Sequence, residues 1–172
     1  MKLNIETLTA EAFADFGQVI DTKECKNQFA INGGTTQRFH DLAEVETIGE
    51  ARGGISIFRG DARQFPMKIE MLERHPKGSQ AFVPLQQRPY LVIVAPALNE
   101  NEPDLSRLRL FYATAAQGVN YYTGTWHHPL LALEEVSDFL VVDRIGEGHN
   151  CDEFQFPEDS NIQIAAMSFE GV

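Results

Sequence analysis

The sequence predicts a mostly β protein, a barrel or sandwich of short strands with one short helix near the N-terminus. Short apolar or alternating runs recur along the chain, and turn residues separate them at 76–78, 97–104 and 115–118. Such spacing, with little helical periodicity, is typical of two-sheet and barrel folds. The 172 residues contain no repeat or linker and fit the size of one domain, so we expect residues 1–172 to form a single domain.

The predicted helix lies near the N-terminus and the predicted strands follow it. Thr9 suits a helix N-cap and Gly17 a helix end, so we expect a helix over residues 10–16. Phe13 and Phe16 would share one face and dock on a sheet. The strand runs are ISIFRG (55–60), KIEMLERH (68–75), AFVP (81–84), YLVIVA (90–95), LRLFYA (108–113) and DFLVVDR (138–144).

Charge and composition exclude several functions. The net charge of −11 disfavours binding to nucleic acid or to an anionic membrane, because phosphates would be repelled. The longest apolar run, 90–98, contains a proline and is too short to span a bilayer. Two cysteines, Cys25 and Cys151, form no CxxC pair, and the first residues lack the apolar core of a secretory signal. We therefore expect a cytoplasmic protein that acts on a small molecule.

The run 68–75 carries the first candidate site. Alternation puts two apolar residues, a carboxylate and an imidazole on the core side, namely Ile69, Met71, Glu73 and His75. The opposite face, predicted to be mostly solvated, consists of Lys68, Glu70, Leu72 and Arg74. An ionised carboxylate on the core side is costly unless it meets a cation, a metal or a proton donor. The alternative is that Glu73 lies at a strand end and contacts water.

The second candidate is the pair of adjacent histidines in GVNYYTGTWHHPL (118–130). Neighbouring strand residues point to opposite faces, so in an extended strand only one of His127 and His128 faces the interior. The other would share the opposite face with Trp126 and act structurally. Two ordinary half-buried histidines are the alternative.

The spacing of these residues resembles the two motifs of cupins, small β-barrels that hold a metal with His-x-His, then Glu, then a distant His. Here the pattern reads Glu73-x-His75-x4-Gln80, with Gly124-x-x-His127 downstream. Glu73 stands where the motif has His, and Gln80 where it has Glu. The resemblance implies that Glu73, His75, Gln80 and His127 are metal ligands or catalytic residues, and that His127 is the interior histidine.

Nearly the whole chain is similar to a narrower family, the ureidoglycolate lyases, formerly called ureidoglycolate hydrolases. The similar stretches are RFHDLAEVE (38–46), LERHPKGSQAF (72–82), GVNYYTGTWHHPL (118–130), DFLVVDR (138–144) and NCDE (150–153). This resemblance implies a cupin-like barrel, a homodimer, a Ni²⁺ cofactor and cleavage of (S)-ureidoglycolate to glyoxylate and urea. The alternatives are a ureidoglycolate hydrolase that releases ammonia and carbon dioxide, another metal-dependent cupin enzyme, and a small-molecule-binding cupin.

Such a substrate carries a carboxylate and needs a cationic anchor. Arg59 continues the face of Ile55 and Ile57, which predicts that it projects inward as a two-pronged donor. Other candidate cations are Lys77, Arg144 and Arg38.

Two further groups are candidates for the site. Tyr121 and Tyr122 could line the barrel mouth and contact substrate, with aromatic packing as the alternative. His40 beside Asp41 fits a structural hydrogen bond or a dimer contact as well as it fits catalysis.

Overall fold

The computed structural model describes residues 2–23 and 25–166. Its one α-helix, α1, spans Ala10–Phe13, and short 3-10 turns lie at Asn32–Gly34 and Leu105–Arg107. The strands are β1 (Ile5–Thr7), β2 (Gly17–Ile20), β3 (Gln28–Ile31), β4 (Thr36–Phe39), β5 (Ala51–Gly60), β6 (Met67–Lys68), β7 (Met71–Arg74), β8 (Gln80–Pro84), β9 (Tyr90–Ala95), β10 (Arg109–Ala113), β11 (Gly118–Tyr121), β12 (Trp126–His127), β13 (Leu131–Ala132), β14 (Ser137–Gly146), β15 (Asp152–Gln155) and β16 (Gln163–Ile164). The prediction of a mostly β fold with one short helix is confirmed.

The helix is shorter than predicted. Thr9 caps it, since its hydroxyl oxygen accepts a hydrogen bond from the Ala12 amide at 3.1 Å. The regular helix ends at Phe13, and residues 14–16 form a turn that leads into β2. Phe13 and Phe16 are both buried, so their predicted docking on a sheet is confirmed.

Two large sheets face each other and enclose the main core. One has seven strands in the order β1-β10-β9-β12-β7-β15, with β13 also paired to β9, and the other has five strands in the order β2-β11-β8-β14-β5. Apolar side chains of both sheets meet between them, among them Phe82, Val92, Phe111, Tyr121, Phe139 and Val141. This two-sheet arrangement fits the predicted cupin-like barrel or sandwich.

The seven-stranded sheet is buried on both faces. In β9, Val92 and Val94 face the main core, whereas Leu91 and Ile93 join a second apolar cluster on the far face. Phe156, Ile162 and residues near the N-terminus cover that cluster. Burial on both faces explains why residues 90–95 form a continuous apolar run instead of an alternating one.

The run 68–75 departs from simple alternation. It contains the end of β6 and the whole of β7, and between them the Ile69 amide donates to the Ile162 carbonyl at 2.9 Å. Leu72 is fully buried in the second cluster, and the Arg74 guanidinium lies 4.6 Å from the Trp126 ring centre. The prediction that this face is mostly solvated is therefore wrong for Leu72 and Arg74, because residues distant in sequence cover it.

In the described part of the chain, no helix has the length and apolarity needed to cross a membrane.

Candidate active site

Three of the predicted site residues converge between the two sheets. Strands β7 and β12 are neighbours, and His127 is paired directly opposite Glu73. The Glu73 Oε1 atom lies 3.6 Å from His127 Nε2 and 3.9 Å from His75 Nε2. Each of the three residues offers one ligand atom, and these atoms all lie within 4.8 Å of one another. We call Glu73, His75 and His127 the triad.

Backbone carbonyls fix the hydrogen positions of both triad imidazoles. His75 Nδ1 lies 2.7 Å from the Asn150 carbonyl oxygen, and His127 Nδ1 lies 2.9 Å from that of Thr125. A carbonyl oxygen can only accept, so each Nδ1 carries the hydrogen and each neutral ring keeps its lone pair on Nε2. Both Nε2 atoms are buried and have no hydrogen-bond partner among the described residues. Such lone pairs can bind a divalent metal or accept a proton.

The Glu73 carboxylate is stabilised in its charged form. Burial alone raises its pKa, but its interactions with the neighbouring imidazoles of His127, His75 and His128 together bring the pKa below its ordinary value. Glu73 is therefore ionised at neutral pH. An anionic oxygen and two imidazole nitrogens form a ligand set that suits Ni²⁺, Fe²⁺, Mn²⁺ or Zn²⁺.

Tyr121 lies inside the core beside the triad. Its ring stacks on His127 with centres 4.1 Å apart and planes 12° apart. Burial raises the pKa of the Tyr121 phenol, and the charge of Glu73 raises it further, so the group stays neutral. The stack orients the His127 ring and supports the packing role for Tyr121, whereas contact of Tyr121 with substrate stays a prediction. Tyr122 is more exposed, and its amide donates to the Phe16 carbonyl at 3.1 Å.

The placement of His128 differs from prediction. Trp126 packs in the second cluster, as expected for the face opposite His127. His128, however, borders a small gap beside Phe82 and Tyr121, which belong to the main core. The expectation that it shares the face of Trp126 is wrong.

A bulge explains this placement. Strand β12 pairs His127 with Val94, and β13 pairs Leu131 with Leu91, so the histidine-bearing segment has one residue more than β9 over this interval. The extra residue breaks the alternation and turns His128 inward. Its burial lowers its pKa, partly offset by its bond to the Pro129 carbonyl.

Gln80, the fourth predicted ligand, lies across the interior on β8. It is 5% exposed, and it is paired with Tyr121 of β11 on one side and with Asp143 of β14 on the other. Its Nε2 is 3.4 Å from Asp143 Oδ2, and its Oε1 has no partner among the described residues. Its role as a metal ligand stays a prediction.

An open cavity of about 410 Å³ adjoins the triad. Its lining includes Phe58, Arg59, Arg63, Glu73, Phe82 and Leu130. The triad carboxylate is therefore reachable from solvent through a mouth that carries two guanidinium groups.

The predicted inward direction of Arg59 is wrong. Ile55 and Ile57, whose face it shares, are 74% and 55% exposed, whereas Phe58 packs against the core residue Phe82. Arg59 lies at the cavity rim with both prongs on Asp138, at 2.7 and 2.9 Å.

Arg63, which the sequence analysis did not identify, makes fewer hydrogen bonds than Arg59. Among the described residues its guanidinium makes one long hydrogen bond, 3.5 Å to the Leu130 carbonyl. It lies in an irregular segment, where no periodicity signals its direction.

The other predicted cations lie elsewhere. Arg144 is buried on the face of β14 opposite Asp143, and it donates to the carbonyls of Ile48 and Glu147. Lys77 lies in the turn after His75, where its amide donates to the Asn150 side chain. The observed partners of Arg144 are backbone carbonyls, and substrate contact by Arg144 or Lys77 stays a prediction.

Arg38 and His40 belong to a different part of the fold. Both contact Phe29, with distances to its ring centre of 5.9 Å from the Arg38 guanidinium and 5.8 Å from the His40 ring. His40 and Asp41 line a separate groove of about 280 Å³ with Cys25. Neither residue is brought to the triad.

The fold and the triad together define a small β protein with an interior site for metal binding or acid–base chemistry. Comparison with known proteins narrows this class. The sequence model of the ureidoglycolate lyase family matches residues 1–163. The chain is 55% identical over 157 residues to a ureidoglycolate lyase of Burkholderia mallei, covering 91% of this chain and 90% of that protein. It is 52% identical over 171 residues to a ureidoglycolate lyase of Pseudomonas savastanoi pv. phaseolicola, covering 99% of each protein. It is 54% identical over 161 residues to one of Pseudomonas entomophila, covering 93% of this chain and 95% of that protein. The chain belongs to the ureidoglycolate lyase family.

Proposed function

We propose that this protein cleaves (S)-ureidoglycolate to glyoxylate and urea. The observation that carries the proposal is the triad, in which one carboxylate and two imidazole lone pairs meet beside an open cavity. Relatives more than half identical over nearly the full chain are named for this reaction. A ureidoglycolate hydrolase would use the same substrate but release ammonia and carbon dioxide.

The reaction needs only proton movement at one carbon. The hydroxyl of the substrate loses its proton and its oxygen forms the aldehyde of glyoxylate. The bond from that carbon to the ureido nitrogen breaks, and the nitrogen takes up a proton to give urea. Acid–base groups of the histidine and glutamate type contribute about 10²–10⁴-fold to such steps. Where no ion occupies its lone pairs, the triad would remove the first proton and supply the second.

The residues of the triad also fit a divalent metal, and we propose Ni²⁺. Each imidazole is locked with Nε2 free, and Glu73 is anionic at neutral pH. A bound ion of this kind would hold the carboxylate and hydroxyl oxygens of the substrate and lower the hydroxyl pKa. Glu73, His75 and His127 would hold it, with Gln80 as a candidate fourth ligand.

Arg63 is the favoured anchor for the substrate carboxylate. It lines the same cavity as Glu73, and a guanidinium matches a carboxylate with two parallel hydrogen bonds. Arg59 lines the cavity too, but Asp138 already holds it. A substrate whose carboxylate is bound by Arg63 in this cavity would direct its hydroxyl-bearing carbon towards the triad.

We also propose that the protein is a homodimer in the cytoplasm. Strand β5 is the edge of the five-stranded sheet, and its outward side chains Ile55 and Ile57 are largely exposed. An edge strand with an apolar outer face is a favourable surface for a second copy.

Product analysis tests the proposed reaction. Urease-free protein is incubated with racemic ureidoglycolate, and glyoxylate, urea and ammonia are followed together. We expect urea to appear in step with glyoxylate from half of the substrate. Ammonia in step with glyoxylate would establish the hydrolase instead. Chelator treatment followed by Ni²⁺ addition separates metal use from the reaction class, because loss and recovery of urea release are expected only if the triad holds an ion.

A further inference from the structure

A second polar group lies across the interior from the triad. On the inward faces of β11, β8 and β14, one row consists of the apolar residues Val119, Phe82 and Val141. The next row consists of Tyr121, Gln80 and Asp143. Asp143 therefore continues the buried face of its strand as a carboxylate. Tyr121 links this row to the triad, since its ring stacks on His127.

The hydrogen-bonding capacity of this pair is largely unused by the protein. Gln80 Oε1 and Asp143 Oδ1 are buried and have no partner among the described residues. The one contact between them, from Gln80 Nε2 to Asp143 Oδ2, is long at 3.4 Å. Buried polar atoms normally have partners, because leaving them unpaired is costly. Two oxygen acceptors and one amide hydrogen of Gln80 thus remain for a bound molecule.

We infer that Gln80 and Asp143 bind the ureido group of the substrate, a role in which Gln80 Oε1 is not a ligand of the proposed metal. The terminal nitrogen of that group has two hydrogens to donate, which Asp143 Oδ1 and Gln80 Oε1 can accept. Its carbonyl oxygen can accept the second amide hydrogen of Gln80. Asp143 would then determine specificity for a ureido group, whereas the triad acts at the neighbouring carbon. This inference rests on the proposed function and assigns Asp143 a role that the sequence did not suggest.

The test separates contact with the ureido group from general damage to the site. Asp143→Ala is compared with wild type in two measurements: kcat/KM for ureidoglycolate and the inhibition constant of glyoxylate, a product that lacks the ureido group. We expect kcat/KM to fall about 10–100-fold, the size of losing a charge-assisted hydrogen bond, with glyoxylate inhibition unchanged. Asp143→Asn keeps one acceptor oxygen and should recover part of the loss. Asp159→Asn, which removes an exposed carboxylate, controls for net charge.

Two results would overturn the inference. If Asp143→Ala weakens glyoxylate inhibition as much as it lowers kcat/KM, Asp143 supports the site only structurally. If kcat/KM is unchanged, Asp143 does not contact the substrate. Absence of urea release by the wild-type protein would instead remove the proposed function, and the inference with it.

Discussion

Replacing each of the two adjacent histidines by alanine should separate chemistry from packing. Both imidazoles lie on the interior side, but their surroundings differ. His127 presents an unpartnered Nε2 3.6 Å from Glu73 and stacks on Tyr121. His128 lies among Phe82, Tyr90 and Tyr121, with its Nδ1 bonded to the Pro129 carbonyl at 2.7 Å.

The structure gives opposite expectations for activity and stability. His127→Ala loses the ring stack, worth about 0.5–1.5 kcal/mol, and a hydrogen bond to Thr125 worth about 1 kcal/mol. It also removes a buried unpaired nitrogen that costs the wild type about 1–3 kcal/mol, and this offsets part of the loss and of the cavity left by the imidazole, so stability should fall only slightly. Its kcat should fall about 10²–10⁴-fold. His128→Ala has no such compensation and should lose about 1–3 kcal/mol, or about 2–12 °C in melting temperature, with kcat largely kept.

Steady-state urea release and thermal melts of both variants decide between these roles. Activity is expressed per folded molecule at a temperature where both variants are folded. Equal losses of kcat, or a larger loss in His128→Ala, would refute the assignment of chemistry to His127 alone.

Three further variants or pairs test other parts of the account. Arg63→Ala should raise KM about tenfold, because the substrate carboxylate loses one ionic hydrogen-bonding partner. Arg59→Ala should raise KM less because Asp138 already binds the Arg59 guanidinium, and equal increases in the two variants would contradict Arg63 as the anchor. Ile57→Glu should turn the proposed dimer into a monomer in light scattering, and an unchanged dimer mass would exclude the β5 face as its interface. The hydrogen bond from Arg109 lowers the pKa of Glu6 below its ordinary 4.5, so its stabilisation is present above that pH and is lost as pH falls through the lower, folded-state pKa. The unfolding free energy of Glu6→Gln, measured with denaturant, should therefore drop less than that of wild type as the pH is lowered below 4.5. The difference should be less than about 1 kcal/mol because the ion pair is partly exposed. Identical pH dependence of the two proteins would show that the pair contributes nothing.

Local alternation was sufficient to predict the triad strand. The placement of Glu73 and His75 on one face agrees with a two-residue period from β7 into the residue after it, although Ile69 at the start of the run departs from that period, and the spacing Gly124-x-x-His127 indicated the third member. The same period, applied to Phe139 and Val141 of β14, places Asp143 inward, so this residue could have been found from the sequence.

The errors share a physical cause, because each depends on contacts between distant segments. Leu72 is buried since residues near 156 and 162 cover the far face of its sheet. His128 turns inward because β12 and β13 pair with β9 around a bulge, which the sequence of either strand does not reveal. Ile55 and Ile57 point outward from an edge strand. An apolar face gives the same alternating sequence pattern whether it points outward or into the core, so the pattern alone did not show the direction.

The central claim is that the triad carries out the cleavage, and the rate of urea release by Glu73→Gln tests it most directly. The substitution keeps the shape of the side chain but removes its charge and its capacity to accept a proton. Glu73 is paired opposite His127 and lines the cavity, so its replacement acts at the proposed reacting centre. We predict that Glu73→Gln folds with a melting temperature close to that of wild type and loses about 10²–10⁴-fold in kcat. A folded Glu73→Gln protein that releases urea at the wild-type rate would contradict the account.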